Sequence, residues 1–225
     1  KKFNPKDSLL SGPAGGVIGA ASVGKASQKQ HIISLDMGGT STDVARYDGQ
    51  FDYQFEHTVG DTTIKAPALS IETVAAGGGS ICSFDGQKLT VGPGSAGADP
   101  GPACYGAGGP LTLTDVNLLL GRLQPKNFSI PISSDAAERN FKSLMQQIQE
   151  SGESPSRDEV LMGLLRIANE RMAEAINKIS LRKGYDPNQY SLVAFGGAGA
   201  QHATAIASEL DIDSVLVPAQ AGLLS

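Results

Sequence analysis

Two acids, three hydroxyl residues and two glycines lie close together in Asp36–Asp43, within the stretch His31–Asp48, which reads HIISLDMGGTSTDVARYD. An apolar run ends there in the candidate residues Asp36, Gly38, Gly39, Thr40, Ser41, Thr42 and Asp43. A strand, a tight glycine turn and a returning strand would bring backbone N–H groups and hydroxyls to one small volume. Such donors suit phosphate oxygens, and the two carboxylates suit the Mg²⁺ that accompanies them. An ordinary hairpin turn is the alternative, because a glycine pair supplies the positive φ that such turns require.

A second candidate is the stretch Phe195–His202, which reads FGGAGAQH. We expect an apolar strand to end there in Gly196, Gly197 and Gly199, where glycines let the backbone approach a ligand and aim a helix N-terminus at it. The glycine order differs from the dinucleotide-binding pattern, so a simple tight turn between strand and helix is the alternative. His202 is expected in the first helical turn, either as a ligand contact or as a structural hydrogen-bonding residue.

A third candidate is the run Gly77, Gly78, Gly79 and Ser80. Three consecutive glycines lose much conformational freedom on folding, which indicates that something approaches their backbone closely. That neighbour could be a phosphate or another segment of backbone.

The long loop Gly92–Pro110 is the fourth candidate, since loops of this length in a compact chain are usually functional or disordered. Its Cys104 has no neighbouring histidine or basic residue, which argues against a nucleophile. Asp115, just beyond the loop, is expected to help cap a short helix.

Composition excludes several classes of protein. The 225 residues are 40% hydrophobic, enough for a real core, but no segment approaches the roughly 20 apolar residues of a membrane span. The formal charge of −5 argues against a nucleic-acid surface. Cys82 and Cys104 are too few for a disulfide framework, so a cytoplasmic location is expected. Neither a P-loop nor a G-x-S-x-G nor an H-E-x-x-H motif is present.

The elements that must position these residues alternate as in an α/β protein. Predicted strands are His31–Met37, Thr42–Tyr47, Phe51–Val59, Ser80–Phe84, Lys88–Val91, Ser191–Phe195 and Val215–Val217. Predicted helices are Val17–Ser27, Ser134–Glu150 and Gln201–Glu209, with a turn-rich segment Ser11–Gly16 before the first. A short helix is expected from a cap at Thr114-Asp115 to Leu120. A long helix is expected from a capping box at Ser156 and Glu159 to about Arg182. The first three strands follow one another directly, which predicts three consecutive antiparallel strands.

Five long segments, in order, resemble the hydantoinase/oxoprolinase family. They are SGPAGGVIGA, LDMGGTSTDV, TVAAGGGSI, VGPGSAGADPGPACYGAGGPLTLTDVNLLLGRL and LVAFGGAGAQHA. More narrowly, they resemble the hydantoinase A domain of 5-oxoprolinases, N-methylhydantoinases and acetone carboxylases. The resemblance implies the actin-like ATPase fold, a ribonuclease H-like α/β half-domain with a mixed sheet, an antiparallel three-strand start and flanking helices.

The resemblance also implies roles for the candidate residues, with ATP and Mg²⁺ as cofactors. Asp36–Asp43 would be a phosphate-binding hairpin, in which Gly38, Gly39, Thr40 and Ser41 meet the phosphates and Asp36 and Asp43 hold Mg²⁺ or its waters. Gly196, Gly197, Gly199 and His202 would lie at the adenosine side, and Gly77–Ser80 near the phosphates. Family members carry an earlier hairpin of the same kind, so residues 1–225 are expected to be a hydantoinase A fragment with half of the ATP cleft, inactive alone.

The activity implied for the intact enzyme is ATP-dependent opening of a cyclic amide, foremost 5-oxo-L-proline to L-glutamate through a phosphorylated lactam. An N-methylhydantoinase, an acetone-carboxylase-type subunit and a non-catalytic nucleotide-binding module are the alternatives. The expected partners are the small cyclic amide and either the rest of the same polypeptide or a second hydantoinase-type subunit, with a homo-oligomer as a further expectation.

Overall fold

The computed structural model describes residues 11–59, 62–128 and 130–224. Its helices are α1 (Ser11–Ala26), α2 (Leu113–Leu119), α3 (Ser134–Glu150), α4 (Arg157–Lys183) and α5 (Gly196–Glu209). Its strands are β1 (His31–Met37), β2 (Thr42–Asp48), β3 (Tyr53–Val59), β4 (Thr62–Leu69), β5 (Ile71–Val74), β6 (Ser80–Phe84), β7 (Leu89–Ser95), β8 (Ser191–Phe195) and β9 (Val215–Leu216). The predicted bounds of β1, β6, β8 and α3 are confirmed.

The chain divides into two compact units. The first consists of Lys1–Asp36, Asp43–Thr73 and Ala175–Ser225, and the second of Met37–Thr42 and Val74–Glu174. The turn of the predicted hairpin thus belongs to the second unit, whereas Asp36 and Asp43 on either side of it belong to the first.

A five-stranded sheet in the order β5-β2-β1-β8-β9 organises the first unit. β1 runs parallel to β8, with Ile32 opposite Ser191 and Asp36 opposite Phe195, and β8 runs parallel to β9. β1 and β2 are hydrogen-bonded neighbours joined by a short turn, so they form an antiparallel hairpin. The centre of the sheet is apolar on both faces, because Ile32, Ile33, Leu35 and all five residues of β8 are buried. Helices α1 and α5 both contact β8. The predicted α/β fold with a mixed sheet and flanking helices is confirmed.

The third strand of this sheet differs from the prediction. The chain turns after β2 through a single bridge between Tyr47 and Phe51, and the next strand, β3, pairs with β4 in a separate antiparallel ribbon. β5 takes the place beside β2 instead, so placing Phe51–Val59 in the main sheet is wrong. The physical reason is visible in β3, whose Tyr53 and Phe55 side chains are 57% and 68% exposed and so gain little from burial.

Two helices of the first unit begin earlier than predicted. α1 begins at Ser11 rather than Val17, so the expected turn at Ser11–Gly16 is wrong. Gly16 of this helix serves packing, because a Cβ there would lie 2.8 Å from the Phe195 ring. α5 begins at Gly196 rather than Gln201. Gly196, with φ of +81°, makes the whole turn from strand to helix.

The second unit combines the antiparallel hairpin β6–β7 with α2, α3 and α4 as far as Glu174. β7 continues to Ser95, so the predicted Gly92–Pro110 loop starts later, and it contains a short 3₁₀ turn at Ala103–Tyr105. α2 begins two residues earlier than predicted, with Thr112 rather than Thr114 as its N-cap. The predicted capping box of α4 is confirmed, since Glu159 Oε2 accepts from Ser156 N at 2.7 Å. Among the described helices, none is both long and apolar enough to cross a membrane.

Candidate functional site

The turn between β1 and β2, here called the hairpin tip (Gly38–Ser41), is closed by a hydrogen bond from Gly38 N to Ser41 O at 3.0 Å. Gly39 and Thr40 are exposed at its end. Within the described residues, the amides of Gly39, Thr40 and Ser41 and the hydroxyls of Thr40 and Ser41 donate no hydrogen bond to the protein. Three amides and two hydroxyls at one turn make a donor set that suits an anion such as phosphate.

The run Gly77–Gly79, here called the glycine shelf, lies directly against the hairpin tip within the second unit. The amide of Gly78 donates to Gly38 O at 3.0 Å, and the amide of Gly79 donates to Gly39 O at 2.6 Å. A Cβ on Gly77 would lie 2.7 Å from the carbonyl carbons of Gly39 and Thr40, closer than real Cβ contacts allow. The neighbour that requires glycines here is therefore the backbone of the hairpin tip, one of the two neighbours considered from the sequence.

The remaining donors of this segment are also used within the protein. Gly77 N donates to Ser80 Oγ at 2.9 Å, and Ser80 N donates to Gly77 O at 3.0 Å. Ser80 is only 1% exposed. The four amides of Gly77–Ser80 therefore hold the shelf and the tip together, and the place of these residues near the phosphates remains a prediction.

Thr42 anchors the returning strand just after the tip. It is completely buried, and its hydroxyl donates to Ala76 O at 2.5 Å and lies 3.5 Å from the sulfur of Met172. The tip and the residue that follows it are thus hydrogen-bonded to the Ala76–Gly79 segment at three places, through Gly38, Gly39 and Thr42.

The two candidate metal ligands lie in the first unit. Asp36 ends the buried run of β1 and is half-buried, and Gly16 of α1 leaves space beside it, since a Cβ there would lie 3.3 Å from Asp36 Oδ2. Asp43 is half-buried on β2 and accepts a hydrogen bond from the Thr73 hydroxyl at 2.5 Å. No group of three or more acidic, histidine or cysteine side chains suited to a metal occurs among the described residues. Two carboxylates still fit Mg²⁺, which commonly takes one or two of them together with water and phosphate oxygens.

The glycines of Phe195–His202 serve different purposes. Gly196 makes the turn, and Gly199 packs closely on the sheet, where a Cβ would lie 3.5 Å from Leu35 O. Gly197 is exposed with open space around it, in the first turn of a helix whose N-cap, Phe195, offers no side-chain hydrogen bond. The amides at this helix start therefore suit a ligand. His202 lies one turn later and is completely buried, which favours the structural role considered for it.

The sequence reading underestimated Asp115. This completely buried carboxylate accepts hydrogen bonds from Thr112 N, Thr112 Oγ1, Ala103 N and Cys104 N, at 2.7 to 3.1 Å. The spacing from Thr112 to Asp115 is that of a capping box, a signal available from the sequence. Burial, with a smaller contribution from the negative charge of Asp115, raises the pKa of the Cys104 thiol well above its ordinary value. A thiol held neutral is a poor nucleophile, in agreement with the expectation for Cys104.

Thr114 is a residue that sequence reasoning missed altogether as part of the site. Its amide and its hydroxyl both donate to Gly78 O, at 2.8 and 2.9 Å. It therefore binds the glycine shelf from the side of α2.

Comparison with known proteins places the chain in a family. A family model described as hydantoinase/oxoprolinase matches residues 1–225, and the chain belongs to this family. The chain is 48% identical over its whole length to the 5-oxoprolinase PfmaA of Pestalotiopsis fici, of which it covers 18%. The chain thus spans about a fifth of the length of this relative.

Two solved structures share the fold. The ATP-dependent caprolactamase of Pseudomonas jessenii matches 95% of the chain at 35% identity with a TM-score of 0.82, over 31% of its own length. A nucleotide-free acetone carboxylase, from work on ATP-dependent acetone carboxylation, matches 96% of the chain at 27% identity with a TM-score of 0.83, also over 31% of its length.

Proposed function

We propose that this chain supplies part of the ATP site of an enzyme that uses ATP to open a cyclic amide, foremost 5-oxo-L-proline to L-glutamate. The observation that carries the proposal is the hairpin tip, with three amides and two hydroxyls that donate no hydrogen bond within the described protein. The fold supports the proposal, because this chain shares its backbone fold with an ATP-dependent caprolactamase to which it is 35% identical.

The proposed phosphorylation overcomes the low reactivity of a lactam towards water. Amide resonance makes the ring carbonyl a poor electrophile. Transfer of the γ-phosphoryl group to the amide oxygen releases ADP and makes the ring carbon electrophilic, so that water attacks it. The ring C–N bond then breaks, the nitrogen takes up a proton and leaves as an amine, and hydrolysis of the remaining acyl phosphate gives the carboxylate and free phosphate. Such a transfer depends on positioning and charge stabilisation more than on covalent help from the protein.

In this proposal the hairpin residues have two roles, phosphate binding and Mg²⁺ binding. Gly38, Gly39, Thr40 and Ser41 bind phosphate oxygens through amides and hydroxyls, and Asp36 and Asp43 hold Mg²⁺ or its waters. When bound, Mg²⁺ neutralises phosphate charge. The start of α5, at Gly196, Gly197 and Gly199, lies near the nucleotide, and the rest of a longer polypeptide or a second subunit completes the site.

A carboxylase-type activity is the second candidate, because acetone carboxylase shares the fold with a TM-score of 0.83. The identities favour a cyclic amide, since the chain is 48% identical to a 5-oxoprolinase and 35% to a caprolactamase, but 27% to acetone carboxylase. A nucleotide-binding module without turnover is the third reading.

The test measures phosphate release by the full-length protein from ATP and Mg²⁺ with one added compound at a time: 5-oxo-L-proline, caprolactam, N-methylhydantoin, or acetone with bicarbonate. We expect 5-oxo-L-proline to stimulate release and L-glutamate to form with it. Stimulation by acetone with bicarbonate alone would establish the carboxylase reading, and ATP binding without stimulated release would establish the module.

A variant pair connects that activity to the hairpin. Asp36→Asn should lower ATP hydrolysis by at least about a hundredfold, as removal of a charge-stabilising group in an active site does. Asp211→Asn is the matched control, because Asp211 is exposed and its φ of +53° is one that asparagine adopts readily. Wild-type hydrolysis by Asp36→Asn would refute the role of Asp36.

A further inference from the structure

We infer that Thr114 and the glycine shelf are positioning residues, which aim the amides of the hairpin tip at a bound phosphate without touching it. The inference rests on the proposed function, since it needs the tip to bind phosphate. It assigns Gly77–Gly79 a positioning role and adds Thr114, which the sequence indicated only as a helix cap.

The contacts with the shelf set the direction of the tip amides. The carbonyls of Gly38 and Gly39 point at the shelf, because each accepts a hydrogen bond from it, at 3.0 and 2.6 Å. The peptide bonds that follow these carbonyls are trans. In a planar trans peptide the C=O and the next N–H point in opposite directions. The amides of Gly39 and Thr40 are therefore directed away from the shelf, where they can receive an anion.

Thr114 and the hairpin tip fix the shelf from two sides. The peptide group between Gly78 and Gly79 is hydrogen-bonded on both sides. Its carbonyl accepts two hydrogen bonds from Thr114, and its N–H donates to Gly39 O. Thr114, this peptide and the Gly39–Thr40 peptide thus form one chain of hydrogen bonds ending at the Thr40 amide. In such chains each bond polarises the next, which strengthens the terminal donor.

Thr114 is itself held by the start of α2. It is the second residue of α2, and its amide is one of the helix-end donors without a partner inside the helix. Its neighbour Asp115 is completely buried and fixes the helix start through both the amide and the hydroxyl of Thr112. The donor pair of Thr114 is thus set in place before any ligand arrives.

The first test compares Thr114→Val, which loses the hydroxyl and keeps the amide, with Thr114→Ser, which keeps both donors. ATP binding is titrated in the full-length protein with Mg²⁺ and without cyclic amide. We expect Thr114→Val to weaken ATP binding about fivefold, the effect of one lost hydrogen bond, and Thr114→Ser to bind as the wild type does. The unfolding midpoint and KM for the cyclic amide should change little in either variant, whereas general structural damage would move them.

The second test displaces the shelf from the tip. Gly77→Ala keeps an ordinary backbone conformation but puts a methyl group 2.7 Å from tip backbone that cannot yield locally. We expect ATP binding to fall by more than about tenfold. Gly94→Ala is the matched control in the same unit, since its Cβ would make an ordinary 3.5 Å contact with the Ile81 side chain.

The outcomes separate this inference from the proposed function. A wild-type protein that binds no ATP overturns both. Wild-type binding that Asp36→Asn impairs, but that Thr114→Val and Gly77→Ala leave unchanged, overturns the positioning role alone. Equal weakening by Thr114→Val and Thr114→Ser would also overturn it, because serine retains the donor.

Discussion

The carboxylate of Asp115 satisfies donors from two separate segments, the 3₁₀ turn at Ala103–Tyr105 and the start of α2. Each oxygen accepts at least one bond in a site without solvent contact. Because a buried donor that loses its acceptor costs more than the bond itself was worth, this residue is the most sensitive point of the network behind the glycine shelf.

Asp115→Asn tests this at the residue scale. The amide NH₂ would face N–H groups where an oxygen now accepts, so we expect a loss of about 3 kcal/mol in local stability. Hydrogen exchange in the full-length protein should show faster exchange at the amides of Ala103, Cys104 and Thr112. Asp158→Asn, an exposed acid in the first turn of α4, is the control and should leave these amides protected. Unchanged exchange in Asp115→Asn would contradict the role of the carboxylate.

At the scale of elements, the junction of β8 and α5 depends on one glycine conformation. Gly196 has φ of +81°, a region that costs an L-residue with a side chain about 1–2 kcal/mol. Gly197, the next residue, has an ordinary φ and open space around it. Alanine substitution at each of these two glycines therefore distinguishes the cost of the positive φ from the effect of adding a methyl group.

Gly196→Ala should lower the free energy of unfolding by about 1–2 kcal/mol, measured by urea denaturation. Gly197→Ala is expected to leave it equal or slightly raised, because alanine favours a helix over glycine. Equal effects of the two substitutions on the free energy of unfolding would contradict a cost of the positive φ at Gly196.

The sequence predicted elements where the signal is local. The apolar runs of β1 and β8 and the capping box at Ser156 needed no knowledge of the rest of the chain, and the structure confirms them. The partner of β3 could not be predicted. The turn signal at Asp48-Gly49 is the same whether the following strand joins the main sheet beside β2 or pairs with a later strand in a separate ribbon. Likewise, Gly77–Gly79 indicated a close neighbour but not which one, because the hairpin tip that meets it is distant in sequence.

On the scale of the whole molecule, an ionic and aromatic cluster ties β2 to the end of α4 within the first unit. Arg46 pairs with Asp52 through two nitrogens at 2.9 and 3.0 Å, and Lys183 reaches Asp52 at 3.1 Å. Tyr190 accepts from Arg46 at 3.0 Å, and the Tyr185 ring lies 4.7 Å from the guanidinium. Burial opposes ionisation of Asp52, but hydrogen bonds from Arg46 and Lys183 outweigh it and hold the pKa of Asp52 below its ordinary value of 3.8.

This lowered pKa predicts acid sensitivity. A carboxyl whose pKa falls on folding stabilises the protein above its unfolded pKa and loses that contribution as pH drops through the folded value. The unfolding temperature of the wild type should therefore decline below about pH 4, and Asp52→Asn should be less stable at neutral pH with a shallower decline in acid. Asp213→Asn, an exposed acid of the same unit, should follow the wild-type curve. Parallel curves for wild type and Asp52→Asn would refute the assignment.

The parallel pairing of β1 with β8 imposes an order on assembly during synthesis. Ile32 can pair with Ser191 only after the whole intervening chain has been made, so until then β2 is the one neighbour available to β1. Contacts so distant in sequence form slowly, and an unpaired apolar strand is prone to misassembly in the meantime. The strand that presents the hairpin tip is therefore one that a chaperone would protect on the nascent chain.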